Sequence, residues 1–273
     1  MEAIELSDIQ LKEIHAIQLE LLKELDKICR KFDIKYIISG GTLLGAVRNQ
    51  RFIPWDDDID VRMERGEYEK FCLVCSKELD QDKYFFQTYK TDKEYPWYYG
   101  KLRYKNSEYV RYGQEHLNME SGIFIDIMPA DGVPNEVNGQ KRLSRQCYIL
   151  KKFLYSVVGK RVEKNLFKRI GYFLMSKVPR RYIFKRLEAI SKRYSSYNYK
   201  YVTCYSFTKW NQIEYTMRDW HLDRKELIFE GEKFFAPKEY DKWLIMTYGI
   251  DYMELPPKEE RVGHNTISKF RIN

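Results

Sequence analysis

Apolar residues recur at intervals of three and four positions near the start of the chain. They follow Ser7 and Gln10, which have the spacing of a capping box, and they are Ile14, Ile17, Leu21, Leu25 and Ile28. A stripe with this period lies along one face of a helix. The pattern therefore predicts an amphipathic helix over residues 7–31 that packs against a later part of the chain.

Short apolar runs then alternate with polar and glycine-rich positions. The predicted elements are a strand over residues 36–39, a turn at Gly40 and Gly41, a helix over 42–48, a strand over 58–63 and a helix over 67–79. Further strands are expected over residues 84–89, 98–104, 109–112 and 123–127. This order predicts an α+β fold with a mixed-sheet core that ends near Asp131.

The second half of the chain is mostly helical in pattern. A basic helical region is expected from about residue 135 to residue 196, and a later helix is expected to open at Pro237 and stop at Gly249. We therefore expect a core over residues 1–134, a basic helical subdomain over 135–200, and a C-terminal part over 201–273 that packs back on the core.

Positive charge is concentrated in one segment of the 273 residues. The whole chain has a formal net charge of +8, while residues 151–200 carry 15 Lys and Arg against 2 Asp and Glu. Such cations between apolar residues can serve as a solvated helical face, or they can contact a nucleic acid, anionic lipid headgroups or a polyanionic acceptor. No run is apolar enough for a membrane span and no secretory leader is apparent, so a cytoplasmic protein is expected.

Four acids lie within five residues: Asp56, Asp57, Asp58 and Asp60. Like charges at this density repel one another unless a cation neutralises them. Asp58 and Asp60 would share one face of a strand, and Asp126, isolated among apolar residues, is expected beside them. Carboxylates in this arrangement suit Mg²⁺ or Mn²⁺ together with a substrate phosphate.

Residues that can bind a phosphate accompany the acids. Gly40, Gly41 and Thr42 lie where a strand meets a helix, so backbone N–H groups could receive it, and Arg48, Lys101 and Arg103 could add positive charge. Two simpler interpretations are a solvated acidic loop and a Ca²⁺ loop, but the calcium-loop pattern is missing. The combination favours metal-dependent phosphoryl or nucleotidyl transfer.

The sequence ISGGTLLGAVRNQRFIPWDDDIDV closely resembles the signature of the LicD family, which includes bacterial phosphocholine transferases and is related to fukutin and fukutin-related protein. The segments YYGKLRYKNS, GIFIDIMPADG and YGIDYMELPPKEERVGH resemble later family motifs in the same order. The resemblance covers about residues 20–131 and 229–265. The basic middle corresponds to the variable part of the family.

The resemblance implies a nucleotidyltransferase-like mixed β-sheet core with flanking helices and a basic helical subdomain. It also implies transfer of a phosphoalcohol, most simply phosphocholine, from a CDP-activated donor to a sugar hydroxyl, with release of CMP. Asp58, Asp60 and Asp126 match the metal-binding and catalytic acids, and Asp56 fits the same run. The implied donor contacts come from Lys101 and Arg103, while Arg261 and His264 fall within the C-terminal match.

The expected acceptor is a lipid-linked or polymeric glycan, such as a teichoic-acid, lipopolysaccharide or capsule precursor, and no nucleic acid is expected. Residues 151–200 would then contact an anionic membrane surface at the inner face of the plasma membrane. Trp97, Tyr98 and Tyr99 are candidates for an aromatic cage around a quaternary ammonium group. Two alternatives remain: a nucleotidyltransferase that uses a nucleoside triphosphate, and a polyanion-binding module whose core is inactive.

Overall fold

A computed structural model of the chain describes residues 4–195, 199–263 and 266–272. Within them, the helices are α1 (Asp8–Lys31), α2 (Gly40–Asn49), α3 (Arg65–Glu78), α4 (Val137–Val162), α5 (Leu166–Met175), α6 (Arg180–Arg193), α7 (Asp219–Leu222) and α8 (Tyr240–Tyr248). The strands are β1 (Ile37–Ser39), β2 (Asp60–Glu64), β3 (Tyr84–Gln87), β4 (Gly100–Tyr104), β5 (Ser107–Arg111), β6 (Phe124–Val133), β7 (Tyr201–Thr203), β8 (Thr216–Met217), β9 (Arg224–Phe229), β10 (Glu232–Pro237) and β11 (Ile267–Ile272). The predicted α+β class is confirmed.

A mixed sheet forms the centre of the molecule, with the strand order β1-β2-β6-β4-β3. Strands β2 and β6 run parallel, whereas the other pairs in this order are antiparallel. The far end of β6 pairs with β7, and β7 pairs with β8. One register row crosses the five strands and consists of Ser39, Asp60, Asp126, Lys101 and Gln87. The sheet therefore places two acids and a lysine side by side.

The apolar pattern of the sequence accounts for the core beneath this row. Ser7 and Gln10 form the predicted capping box, and α1 buries Ile14, Leu21, Leu25 and Ile28. Ile59 and Val61 are fully buried, as the alternation in β2 predicts, and so are Ile125 and Ile127 in β6. Alternate residues on these strands thus point into the core while the acids point to the opposite face.

Several sequence-predicted boundaries were wrong. The turn expected at Gly40 and Gly41 is instead the first two residues of α2. The strand expected over residues 58–63 begins at Asp60, so Asp58 lies in the preceding loop. Strand β6 runs to Val133, beyond the expected end at residue 127, because its second half gains β7 as a partner. Pro237 ends β10 and opens no helix; α8 begins at Tyr240 and, as predicted, stops at Gly249, whose φ is +94°.

Helices α4, α5 and α6 account for the predicted basic helical region. Leu143, Cys147, Leu154 and Leu187 from α4 and α6 share a buried cluster with Val133 of β6. All five cysteines are free and four are buried, which agrees with a structural role for the thiols. The C-terminal segment returns to the core, since β11 pairs with β5. Among the residues described, no helix is both long and apolar enough to cross a membrane.

Candidate active site

The predicted acids meet at the edge where β2 and β6 begin. Asp58, Asp60 and Asp126 each offer a carboxylate oxygen, and these atoms lie within 4.8 Å of one another. Asp56, Asp57 and Asp58 form a second group with the same property. Asp58 belongs to both groups, so the five carboxylates make one continuous cluster, hereafter the acid cluster.

The two glycines that begin α2, Gly40 and Gly41, allow the acid cluster to approach the backbone. A Cβ atom on Gly40 would lie 2.5 Å from Asp60 Oδ2, and one on Gly41 would lie 2.1 Å from Asp56 Oδ2. Gly40 also has a φ of +58°, which side chains other than glycine rarely adopt. The hydroxyl of Thr42 accepts a hydrogen bond from the Asp60 N–H at 2.9 Å. The glycine pair is therefore required by the carboxylates themselves.

Side chains from distant elements hold the loop that carries Asp56 and Asp57. Gln18 of α1 donates to the Asp57 carbonyl at 2.8 Å, and the ring Nε2 of His15 lies 2.7 Å from the Asp56 carbonyl. The Tyr109 hydroxyl of β5 donates to Asp57 Oδ2 at 2.9 Å. These contacts fix the positions of Asp56 and Asp57, which are buried. Asp58 and Asp60 are half-buried and form the more accessible side of the cluster.

The electrostatics of the acid cluster suit a divalent cation. Burial, followed by the charges of Asp58 and Asp57, raises the pKa of Asp56. Burial, followed by the charges of Asp58 and Asp126, raises the pKa of Asp60. Both shifts show that the ionised carboxylates destabilise one another in this arrangement. Oxygen ligands that converge with surplus negative charge are those that Mg²⁺ or Mn²⁺ prefers, so the residues fit such an ion.

Positive side chains lie immediately beside the acid cluster. Lys101 is almost fully buried and forms a short ion pair with Asp126 Oδ1, while an Arg111 guanidinium nitrogen lies 3.8 Å from Asp126 Oδ2. Lys101, Arg103 and Arg111 also surround the ring of Phe124, at 3.2, 5.0 and 4.9 Å from its centroid. Burial, which outweighs the attraction of Asp126, lowers the pKa of Lys101 well below its usual value. Lys101 and Arg111 thus place positive charge directly beside Asp126, and Arg103 lies next to them on the Phe124 ring.

The opposite side of the acid cluster is formed by the C-terminal part of the chain. Tyr248, the last residue of α8, lies close enough to interact electrostatically with Asp60, and it interacts with Arg48 in the same way. Arg48 donates to the Glu254 carbonyl at 3.2 Å, and Arg261 lies over the Trp55 ring at 5.5 Å from its centroid. The C-terminal part thus borders the acids, although Arg48 and Arg261 make no direct contact with them in the hydrogen bonds described.

An aromatic cavity of about 180 Å³ opens beside Arg111. Trp97, Tyr98, Tyr99, Tyr205 and Phe207 contribute rings to its wall, and Arg111 and Lys151 contribute positive charge. Ser206 also lines it, and its buried hydroxyl has no hydrogen-bond partner within the described part of the chain. Arg111 therefore stands between the acid cluster and an apolar cavity with few polar groups.

Comparison with known proteins agrees with this geometry. The profile of the LicD/FKTN/FKRP nucleotidyltransferase domain matches residues 33–155, which include every acid of the cluster. The lipopolysaccharide cholinephosphotransferase LicD of Haemophilus influenzae is 30% identical over 268 residues, which cover 94% of this chain and 96% of that protein. The chain belongs to the LicD family.

Two shorter matches lie in Rickettsia. An uncharacterized protein of Rickettsia typhi is 47% identical to this LicD-family chain over 64 residues, 21% of each sequence. An uncharacterized protein of Rickettsia prowazekii is 45% identical over 64 residues, 21% of this chain and 24% of the other. These names state no activity, so the family assignment depends on the full-length relative.

The structure brings most of the predicted site residues of this LicD-family chain together. The residues within or against the acid cluster are Asp56, Asp58, Asp60, Asp126, Gly40, Gly41, Thr42 and Lys101. Arg103 instead donates to Gln87 at 2.6 Å and to the Gly122 carbonyl at 2.5 Å, so its guanidinium is largely engaged by the protein. His264 lies outside the described residues. The ligands of all these residues remain predictions.

Several residues of the site escape prediction from the sequence. Arg111, Tyr109, Gln18 and His15 each contact the acid cluster or its backbone, yet none stands in a distinctive motif. Arg111 lies in a stretch predicted as a strand, but the face that it presents depends on the pairing of β5 with β11. The signal available in the sequence was a single cation between Val110 and Tyr112 in a predicted strand, which does not by itself indicate a site.

Proposed function

We propose that this LicD-family chain is a metal-dependent phosphotransferase. It moves a phosphoalcohol, most simply phosphocholine, from a CDP-activated donor to a sugar hydroxyl of a cell-surface glycan or its precursor, and CMP is released. The observation that carries the proposal is the acid cluster beside Lys101 and Arg111 in a chain related along almost its full length to a cholinephosphotransferase. Lipopolysaccharide is the acceptor named for that relative, and teichoic-acid and capsule precursors share the sugar hydroxyl.

Asp58, Asp60 and Asp126 would hold Mg²⁺ or Mn²⁺, with Asp56 as a further carboxylate of the cluster. Ions bound there would neutralise phosphoryl oxygens and make the acceptor hydroxyl more acidic. The side chains of the protein position the reacting groups and neutralise the charge of the phosphate. The Lys101 ammonium holds Asp126 in place, and Arg111 offers a guanidinium to the phosphate that is transferred. The acceptor oxygen forms its bond to phosphorus as the bond to the CMP oxygen breaks, and the hydroxyl proton passes to a carboxylate of the cluster, for which Asp126 is the candidate base.

The aromatic cavity beside Arg111 suits the phosphocholine part of the donor. A trimethylammonium group is attracted to ring faces such as those of Trp97, Tyr99 and Phe207, while its phosphate would lie toward Arg111. Because Arg111 and Lys151 would repel an ammonium group without a phosphate, the cavity favours the zwitterion over free choline. Trp97, Tyr98 and Tyr99, the residues of the predicted aromatic cage, all line this cavity, and this shared location supports the proposal.

We also propose that the acceptor is presented at an anionic membrane surface that residues 151–200 contact. The segment carries 15 cations against 2 acids, and α4 connects it to the active site because Cys147, Lys151 and Leu154 line the aromatic cavity. Cations near anionic lipid headgroups each add a favourable contribution that declines with ionic strength.

A product-release assay tests the proposed reaction. The purified chain is mixed with Mg²⁺ or Mn²⁺ and with CDP-choline, CDP-glycerol, CDP-ribitol or nucleoside triphosphates, and CMP and pyrophosphate are measured. Metal-dependent CMP release from CDP-choline is expected. Asp58→Asn and Asp60→Asn should each reduce CMP release by about 10³-fold or more, because each removes a charged ligand from the proposed metal site.

The matched control for the product-release assay is Asp223→Asn, which changes an exposed carboxylate paired with Lys238 at 3.3 Å. This variant should keep wild-type CMP release. Pyrophosphate formed from a triphosphate would instead make the chain a nucleotidyltransferase. If every donor is inactive but the chain binds vesicles and the Asp60→Asn variant does so equally, the chain is a binding module with an inactive core.

A further inference from the structure

Helix α5 exposes an unusually large apolar surface. The exposed fractions of Leu166, Phe167, Ile170, Phe173 and Leu174 are 55%, 83%, 48%, 50% and 62%. At 100° per residue these five side chains fall within an arc of about 120° on the helix. Val178, three residues after the end of the helix, is 38% exposed and is grouped with them. We refer to these six residues as the α5 apolar face.

The packing of α5 on α4 fixes the direction of this face. Tyr172 is the buried residue of α5, and its ring fills the space above Gly159 of α4, where a Cβ atom would lie 2.7 Å from the ring. The Tyr172 hydroxyl accepts a hydrogen bond from Lys152 at 3.1 Å. Tyr172 lies outside the apolar arc, so the contact with α4 orders the helix while the apolar face stays in solvent.

The neighbouring helix α6 is different although it is more basic, with six Lys and Arg in 14 residues against two in the ten residues of α5. Its apolar residues Ile183, Phe184 and Leu187 are buried in the cluster shared with α4. On α5 the corresponding apolar residues are exposed. By the same rotation Arg169 borders the apolar arc and Lys168 lies on the opposite side of the helix, while the exposed Lys164 and Lys177 lie just beyond its two ends. A helix with an apolar face, neighbouring lysine and arginine, and no partner on that face among the described residues has the pattern of an interfacial membrane helix.

We infer that α5 is the membrane-inserting element of the chain: its apolar face enters the headgroup and acyl boundary of an anionic bilayer, and its flanking cations contact the lipid phosphates. The inference deepens the membrane contact proposed for residues 151–200. It assigns the contact to insertion of six apolar residues instead of adsorption by charge alone. An anionic bilayer is favoured over a protein partner because the sequence from Lys160 to Arg180 contains one acid, Glu163, among seven lysines and arginines.

The position of α5 relative to the active site supports this role. The Tyr172 ring packs edge-on against Tyr155 of α4, with 5.5 Å between centroids, and Tyr155 packs against Trp97 at 6.3 Å. Trp97 lines the aromatic cavity beside Arg111. A short series of packed rings thus connects the α5 helix to the cavity. An enzyme held by α5 would keep this cavity close to the membrane surface, where a lipid-linked acceptor is found.

Vesicle sedimentation tests the inference. Binding is measured with vesicles of phosphatidylcholine alone and with an equimolar mixture of phosphatidylcholine and phosphatidylglycerol. The wild-type chain should prefer the anionic vesicles. Leu174→Ser should weaken binding by at least about tenfold, and adding Phe167→Ser should weaken it further, because each change removes apolar area from the bilayer. The matched control is Leu73→Ser, which changes a leucine on α3 that is 73% exposed; its binding should stay at the wild-type level.

Two further measurements separate the possible outcomes. The tryptophan fluorescence that Phe167→Trp adds should be quenched by vesicles whose acyl chains carry bromine. A side chain that only approaches the headgroups does not reach the bromine and is not quenched. The CMP release of Leu174→Ser with a water-soluble acceptor should equal that of the wild type, so a failure of the proposed chemistry stays distinct from a failure of this inference. Equal binding by Leu174→Ser and Leu73→Ser would overturn the inference. So would self-association of the wild type that Leu174→Ser abolishes, because the face would then join two copies of the chain.

Discussion

At the scale of single residues, the site depends on two glycines that have no side chain. Gly40 and Gly41 directly follow the first strand of the sheet and begin α2, and the carboxylates of Asp60 and Asp56 occupy the space that their side chains would fill. The same arrangement brings the helix α2 N-terminus toward the acids, where its partial positive charge is favourable. The glycine pair therefore makes room for the carboxylates, and the predicted contact of its N–H groups with a phosphate is a separate property.

Gly41→Ala should reduce activity strongly while the protein stays folded. The new Cβ atom would lie 2.1 Å from Asp56 Oδ2, so the carboxylate or the turn must shift. A displacement of about 1 Å in a catalytic site costs about 10²-fold in rate, so we expect a loss of about that size in kcat/KM. The measurement is CMP release together with thermal unfolding followed by circular dichroism.

The control for Gly41→Ala is Gly66→Ala at the exposed start of α3, where nothing lies within 4 Å of the added Cβ atom. This variant should keep full activity and gain up to about 1 kcal/mol of stability, since alanine is the better helix residue. Equal activities of the two variants would contradict the structural role assigned to Gly41.

At the scale of elements, a buried ion pair connects the sheet to the basic helices. The Arg65 guanidinium at the start of α3 binds both Asp131 oxygens of β6 at 2.7 and 2.6 Å, and Ser191 of α6 donates to the same carboxylate. Asp131 is 1% exposed. Three elements thus meet at one carboxylate that solvent does not reach.

Arg65→Ala should lower the free energy of unfolding by about 3–5 kcal/mol, because it leaves the charge of Asp131 buried without its main partner. Urea unfolding measures the loss. Arg30→Ala is the comparison, since Arg30 binds Asp26 and Glu226 at an exposed position and should cost less than about 1 kcal/mol. Similar losses in the two variants would show that burial does not distinguish these ion pairs.

A buried histidine makes the packing of α7 sensitive to acid. His221 lies 2.8 Å from the Thr216 hydroxyl and packs against Trp243, and burial lowers its pKa from 6.5 to about 3. Above pH 6.5 the ring is neutral in both the folded and unfolded states. Between pH 6.5 and 3 only the unfolded state gains the proton, so this group lowers stability as pH falls, by about 1.4 kcal/mol per pH unit and about 5 kcal/mol at most.

His221→Gln should remove that part of the pH dependence. Asp56 and Asp60 act in the opposite direction, because a raised carboxylate pKa makes the folded state bind protons first. The difference between wild type and variant therefore isolates His221, and it should shrink steadily from pH 6.5 toward pH 4. Urea unfolding at several pH values measures it. A difference that does not change with pH would mean that His221 takes up a proton in the folded state.

The sequence predicts the elements of the site better than their pairing. The period of two around Ile59 and Val61 identifies the inward residues of β2, and the isolated acid at Asp126 marks β6. That Asp60 lies opposite Asp126 follows from a parallel register between strands separated by a helix and three further strands. Arg111 is harder still, because β5 pairs with β11 from the other end of the chain. Local periodicity contains no information about such long-range pairs.

At the scale of the whole molecule, charge is separated into two regions. The core contains the acid cluster, and residues 151–200 carry a net charge of +13 from 15 Lys and Arg against 2 Asp and Glu, so within the total of +8 the rest of the chain sums to −5. An acid cluster destabilises the folded chain by itself, since burial and mutual repulsion raise the pKa of Asp56 and Asp60. Stability is thus lost at the site where a cation and substrate phosphates would restore it, a pattern common in active sites.

This pattern predicts opposite effects of one substitution with and without metal. In EDTA, Asp60→Asn should be more stable than the wild type by about 0.5–2 kcal/mol, because the amide keeps the shape of the side chain and removes a repelled charge. With Mn²⁺ at about 100 times its dissociation constant, the wild type should gain about 2.7 kcal/mol, while the variant should gain much less. Urea unfolding in both conditions measures the two effects, and Asp223→Asn should behave as the wild type does. If Mn²⁺ stabilises Asp60→Asn as much as it stabilises the wild type, Asp60 does not bind the metal. The metal-binding role would then belong to the other carboxylates of the acid cluster.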